Sequence, residues 1–204
     1  MRGLDLVEAS VVLPGRTLTI LRPRDAEALL DEEAFEHEEF LPYWAELWPS
    51  GVELARHVAA LDLAGRRVVE LGCGLALPSF AAVLAGARVL ATDWAPDAID
   101  LARRNAQRNA LDLDFAVAGW TQPGPLLERA PFDLVLASDV LYEKRNVPLL
   151  LYNLRRLARE VLLADPRRHA TPDFVTGAAA DWEVETTELS AEPRVDLHRL
   201  TRRP

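Results

Sequence analysis

Between residues 66 and 165, short β-branched runs take turns with longer amphipathic segments. RRVVELG, RVLATD, LDFAVAG, FDLVLASD and VLLAD read as strands, the most apolar of them as strands buried on both faces. LPSFAAVLAGA, PDAIDLARRNAQRNA and NVPLLLYNLRRLARE stand between them at helical spacing, with Gly86 closing the first and Pro96 opening the second. VELARHVAALDL precedes the first strand, with Val52, Leu54, Ala55, Val58 and Leu61 on one helical stripe. Repeated strand–helix–strand order leaves few solutions. Crossovers of this kind are right-handed, so the sheet is mostly parallel and doubly wound, with helices on both faces.

The flanks differ in texture. Pro14-Gly15 between two β-branched runs predicts an N-terminal hairpin, and RDAEALLDEEAFEHEEF predicts a strongly acidic helix. At the other end WEVETTELS and RVDLHRLT alternate apolar and polar residues, which predicts an antiparallel hairpin on the sheet edge. The expected architecture is therefore α/β, Rossmann-like, with seven strands. One domain is expected over 1–204, divided into an N-terminal extension over 1–45 and a core over 46–204.

Half of the 204 residues are hydrophobic, enough for a sizeable core. The formal charge of −9 and the lack of a long basic stretch argue against a duplex nucleic-acid binder. No apolar run is long enough for a membrane span, and MRGLDLVEAS lacks the apolar centre of a signal peptide. A single cysteine, Cys73, excludes an internal disulfide. These features imply a cytoplasmic protein, and with no long heptad or unusually apolar edge, a monomer. His37, His57, His169 and His198 show no metal-ligand spacing and are expected to be packing or surface residues, so no metal is expected.

The stretch VVELGCGLALPS, Val68 to Ser79, carries the chemistry. Gly72 and Gly74 fall where a strand turns sharply into a helix, and a missing side chain lets backbone approach a ligand. Asp93 ends the next strand, about twenty residues on, where a carboxylate can accept both hydroxyls of a ribose. A dinucleotide site would ask for a third glycine three positions after Gly74; that position is Leu77, and the chain has little room for a dehydrogenase's second domain.

The Glu70, Gly72, Gly74 pattern instead resembles the E-x-G-x-G turn of class I S-adenosylmethionine-dependent methyltransferases, a likeness that runs from about Trp44 to Asp165. It implies S-adenosyl-L-methionine as cofactor, a glycine loop against its amino-acid part and Asp93 on its ribose. Cys73 is expected to touch it through backbone. Ala76 departs from the pattern, because alanine disfavours the positive φ that a glycine there adopts freely.

LPYWAELWPSGVELARHV and FDLVLASDVLYE narrow the resemblance to the D-x-x-Y protein-lysine methyltransferases. That group acts on elongation factors, chaperones and the electron-transfer flavoprotein β subunit. The resemblance implies that Trp48 lines the cofactor pocket and that Trp120 stacks on adenine with Trp94 opposite. It further implies that Ser138 touches cofactor through its backbone, and that Asp139 and Tyr142 stand beside the transferable methyl. Trp44, four residues before Trp48, is expected to be a core neighbour on the same helix face. Asp165-Pro166 and Arg168 resemble the D-P-x-R of flavoprotein-directed members, with Arg167 in place of a frequent glycine.

Methyl transfer from a sulfonium needs positioning more than activation, so the lack of a triad or metal cluster fits. The expected acceptor is a protein lysine, with Asp139 orienting the amine and Tyr142 bordering its channel. The acidic run Asp31 to Phe40 could draw in a lysine-rich surface. Two other readings stay open at this point: a small-molecule N- or O-methyltransferase, and a non-catalytic adenosyl-cofactor-binding module.

Overall fold

The computed structural model describes residues 5–26, 29 and 42–204. β1 (Leu6–Leu13) and β2 (Arg16–Pro23) pair antiparallel about Pro14-Gly15, and Gly15 supplies the positive φ of the turn. A 3-10 turn at Tyr43–Ala45 leads to α1 (Pro49–Val58), β3 (Arg67–Leu71), α2 (Leu77–Leu84) and β4 (Arg88–Asp93). Then come α3 (Pro96–Arg108), β5 (Asp114–Val117), α4 (Gly124–Leu127), β6 (Leu134–Ser138) and α5 (Asn146–Leu157). β7 (Glu160–Asp165), α6 (Thr171–Ala178), β8 (Trp182–Ala191) and β9 (Arg194–Arg202) complete the chain.

Seven strands form one sheet in the order β5-β4-β3-β6-β7-β9-β8. β3 through β7 run parallel, while β9 is antiparallel to β7 and β8 to β9. This is the mostly parallel sheet with an antiparallel C-terminal hairpin that the strand pattern predicts. The hairpin folds back, so β9 lies inside the sheet and β8 forms the edge.

Side chains alternate across the parallel strands as the pleat demands. Val68, Leu134, Leu136 and Leu162 join the core that includes α1, α2 and α3 residues, while Val69, Val135, Val161 and Leu163 face the core of α5 and α6. α1 commits Leu54, Ala55 and Val58 to that packing, all fully buried. Fully burying a Leu or Val contributes about 1.5–3 kcal/mol, so the paired layers dominate the stability.

The hairpin docks by an unusual route. Asn105 of α3 and Asn109, the residue that caps its carboxyl end, are buried and act as a strand partner for β2. Asn105 Oδ1 accepts from Leu21 N at 2.7 Å and its Nδ2 donates to Leu21 O at 3.0 Å. Asn109 repeats both bonds with Thr19, at 3.0 and 2.8 Å. These bonds satisfy backbone groups on an edge that lacks a third strand.

Three expectations change. Trp44 and Trp48 do not share a helix face: Trp44 sits in the 3-10 turn, and Trp48 is extended at φ −66°, ψ 136°. Pro49 enforces this, because the residue before proline is driven out of helical conformation. α1 stops at Val58, leaving Leu61 beyond it. α6, over Thr171–Ala178, lies in a segment for which the sequence suggests no element. The acidic run Asp31 to Phe40, His37 within it, and most of the helix expected there lie outside the described residues.

The strand order reverses at β3: β4 leaves it on one side and β6 on the other. Parallel sheets leave a crevice above their carboxyl ends at such a point. The glycine turn and Asp139 follow strand ends there, and Asp93 is the last residue of β4.

Candidate active site

The loop after β3 is a run of left-handed residues. Gly72 has φ +64°, Gly74 +49° and Ala76 +62°. A Cβ on Gly74 would lie 3.0 Å from the Trp44 carbonyl oxygen, and one on Gly72 would lie 3.3 Å from Val140 Cγ1. The loop therefore forms a cradle that side chains would fill. Ala76 takes the conformation that glycine prefers, with its methyl fully buried. For a non-glycine residue this costs about 1–2 kcal/mol. The loop geometry survives the departure from glycine.

Glu70 lies beneath this loop and is absent from the cavity wall. Its carboxyl is fully buried; Oε2 accepts from Ser79 N at 2.9 Å and from Ser79 Oγ at 2.5 Å. It thus braces the first turn of α2 through Oε2, while its Oε1 is buried without a hydrogen-bond partner. Burial pushes its pKa up to about 8, against the lowering pull of the Ser79 bonds.

Asp93 ties the loop to the next strand. Its Oδ2 accepts from Gly74 N at 2.9 Å and its Oδ1 from Ala95 N at 3.0 Å. Burial raises its pKa, while those backbone donors pull it down. Each carboxylate oxygen keeps a lone pair for a further donor. Cys73 has its thiol pKa pushed well up by burial, with Asp93 and Glu70 adding to this, so it is no thiolate nucleophile.

A cavity of about 510 Å³ fills the crevice, within the range of small-molecule sites. Gly72, Cys73, Gly74 and Asp93 form its floor. Trp48, Trp94, Trp120 and Ser138 contribute walls, and Asp139 and Tyr142 close one end. Every site residue expected from sequence, Glu70 excepted, is thus brought to one cavity. Trp44 lines it too while packing partly on the core.

A second cavity of about 440 Å³ adjoins the first. The two share Tyr43, Trp48, Asp139, Tyr142 and Glu143. Lys144, Arg168 and His169 give the second a polar far side. Asp139 therefore stands between the two spaces, at φ +56°. Its Oδ2 accepts from Ser50 Oγ at 3.0 Å and its Oδ1 from Arg168 Nε at 2.7 Å. Tyr142 is a neutral phenol at ordinary pH: burial, helped by Asp93 and Glu143, pushes its pKa up to about 12. Its ring lies 5.6 Å from that of Tyr43, which meets Trp48 edge-on at 6.3 Å.

Several supporting residues escape a reading of the sequence. Ser50 and Arg168 lie 89 and 29 positions from Asp139, and no local pattern joins them. Asn153, buried in α5, donates to Trp120 O at 2.9 Å across 33 positions. Tyr43 sits beside the tryptophan motif but gave no periodic signal. Arg168 alone had a cue, in the D-P-x-R likeness.

Comparison with known proteins gives the family and the fold. A family profile described as lysine methyltransferase matches residues 41–176. Among curated relatives, the histone-arginine methyltransferase METTL23 of Xenopus laevis is 32% identical over 70% of this chain and 62% of its own length. The electron transfer flavoprotein beta subunit lysine methyltransferase of Xenopus laevis is 36% identical over 62% of this chain and 53% of its own. The chain thus spans between half and two thirds of these two relatives. Among solved structures, the magnesium protoporphyrin IX methyltransferase of Synechocystis PCC 6803 shares the fold. Its TM-score is 0.65 at 19% identity, over 88% of this chain and 98% of its own. With the profile covering most of its length, the chain belongs to the lysine methyltransferase family.

Proposed function

We propose that this chain transfers a methyl group from S-adenosylmethionine to a lysine amine of a protein. One observation carries the reading: a cavity over a glycine cradle ends at Asp139 and Tyr142, where a second, polar cavity begins. Two reactants can thus approach one point from opposite sides.

The cradle fits the cofactor. Gly72 and Gly74 leave room for backbone contact with its amino-acid part, and Cys73 adds a backbone contact. Asp93 accepts the ribose hydroxyls on its remaining lone pairs. Trp120, held by Asn153, stacks on adenine with Trp94 opposite, a contact worth about 1–3 kcal/mol per base. Trp48 and Ser138 complete the wall, and Glu70 supports the loop from below. When bound, the cofactor supplies an electrophilic methyl on a sulfonium. Asp139 accepts an N–H of the acceptor amine and turns its lone pair toward the first cavity. Tyr142 and Tyr43 border the approach of the acceptor's alkyl chain.

The polar far side of the second cavity supports a protein acceptor over an apolar small molecule. We further read the chain as one domain over 1–204, divided at residue 45, acting as a cytoplasmic monomer. Its single cysteine and lack of a long heptad support that reading.

Thermal unfolding with S-adenosylmethionine, S-adenosylhomocysteine and NAD tests the site. A ligand at 100 times its dissociation constant stabilises by about 2.7 kcal/mol, or several degrees. Both adenosyl ligands are expected to raise the midpoint while NAD leaves it in place. A shift with NAD alone would overturn the reading.

A further inference from the structure

We propose that Arg168 restricts the acceptor to a neutral amine by holding Asp139 as its own counter-ion. This rests on the methyltransferase reading above and adds to it which form of which acceptor the site takes.

The carboxylates facing the second cavity already have cationic partners from the chain. Asp139 is paired with Arg168 at 2.7 Å, and Glu143 with Arg145 at 2.6 Å. Lys144 is paired with Asp173 of α6 at 3.0 Å. The other titratable groups there are His169 and the phenols Tyr43 and Tyr142. Asp165 lies under the turn and accepts from Arg168 N at 2.9 Å. No carboxylate lining this cavity among the described residues is left without a cation.

Arg168 is held in that place by its surroundings. Asp165 also accepts from Thr171 Oγ1 at 2.5 Å, which fixes the turn. Arg167, at φ +66°, grips Asp196 through two bonds of 2.6 and 3.1 Å and turns away. Arg168 then runs back toward Asp139 with its guanidinium carbon 5.6 Å from the Trp48 ring centroid. Its side chain is 36% exposed, against 7% for Asp139. It therefore stands on the wall of the cavity and not behind it.

The consequence is electrostatic. A protonated lysine entering this space meets a guanidinium and would, with the cofactor bound in the first cavity, also meet a sulfonium, while the nearest carboxylate is already engaged. Both positive charges favour loss of its proton to water. A neutral amine meets no such penalty, and its N–H can use a remaining lone pair of Asp139. The amine lone pair then forms the N–C bond, and the C–S bonding pair returns to sulfur as a neutral thioether. The positive charge ends on the methylated nitrogen, which loses a proton to water. An arginine acceptor keeps its charge at any working pH, so the site disfavours it. Arg168 is in this sense a positioning and specificity residue that acts through Asp139.

The test uses two peptide libraries, alike except for one central Lys or Arg, with labelled S-adenosylmethionine, the wild type, Arg168→Gln and Arg168→Lys. Calorimetry with S-adenosylhomocysteine is run alongside, and the Lys peptides are titrated into that complex at pH 7. Wild type is expected to methylate the Lys library at least about a hundredfold better than the Arg library. Arg168→Gln should bind the Lys peptides about tenfold more tightly at pH 7. Its kcat should need a pH about one unit higher to reach its plateau, as expected for one charge removed nearby. Arg168→Lys should restore the wild-type profile. Unchanged pH dependence in Arg168→Gln, or equal use of the Arg library by wild type, overturns the inference while leaving the methyltransferase reading intact. Failure to bind S-adenosylhomocysteine overturns both. Binding without methylation of either library removes the lysine acceptor and this inference with it.

Discussion

Asp139 is left-handed at φ +56°, with one oxygen on Ser50 and the other on Arg168. A side chain fixed from two sides positions a reactant without reorganising. Asp139→Ala is therefore expected to lower turnover about a hundredfold or more while S-adenosylhomocysteine affinity stays within a few-fold. Equal loss of both would show that Asp139 serves cofactor binding instead. Glu70 gives a second prediction. Its pKa rises from 4.5 to about 8 on folding, through burial. Between those values the folded chain holds a proton that the unfolded chain has lost, so stability falls as pH rises through this window. The loss is at most about 1.4 kcal/mol per pH unit. Urea unfolding at pH 5 and pH 8 should show a steeper decline for wild type than for Glu70→Gln; parallel declines would contradict this. Asp139, Tyr142 and the glycines are legible in the sequence because each belongs to a short pattern at a strand end. Glu70 belongs to such a pattern too, but its side chain points under the loop, and a one-dimensional spacing does not report that direction.

The glycine loop depends on backbone freedom more than on any side chain. Gly74→Ala would need both a left-handed alanine and a Cβ 3.0 Å from the Trp44 carbonyl oxygen, a backbone atom that yields little. It is expected to weaken S-adenosylhomocysteine binding by tenfold or more and to lower the melting midpoint. Normal binding by this variant would remove the cradle from the account. The hairpin makes a different prediction. Asn109→Ala removes both bonds to Thr19, at a cost of about 1–3 kcal/mol for groups left partly unpaired. Denaturant unfolding should register that loss with cofactor affinity unchanged. Element types in the parallel core were legible because short β-branched runs alternate with longer amphipathic segments, although the end of α1 was not. α6 was not, since eight residues with Pro172 and Gly177 inside carry too few apolar positions to set a period. The shared tryptophan face failed for a local reason: Pro49 starts the helix and leaves Trp48 extended before it.

At the scale of the molecule, the site belongs to the topology. Reversal of strand order at β3 opens the crevice, and loops after β3, β4, β5 and β6 line it. The second cavity extends it toward the turn after β7, so the two spaces meet at Asp139. Sequence could give the first cavity, because its residues follow strands in a recurring pattern. Of the second it indicated Asp139, Tyr142 and Arg168, but not Tyr43 or the pairing of Arg168 with Asp139 across 29 positions. Lysine methylation is the central claim, and the most direct test is the fate of a labelled methyl group. Purified protein is incubated with methyl-labelled S-adenosylmethionine and the soluble proteins of its source cell, and the protein fraction is hydrolysed to amino acids. Label in methylated lysine, lost with Asp139→Ala, is the predicted result. Label in methylated arginine, or in small molecules with none in protein, would contradict it.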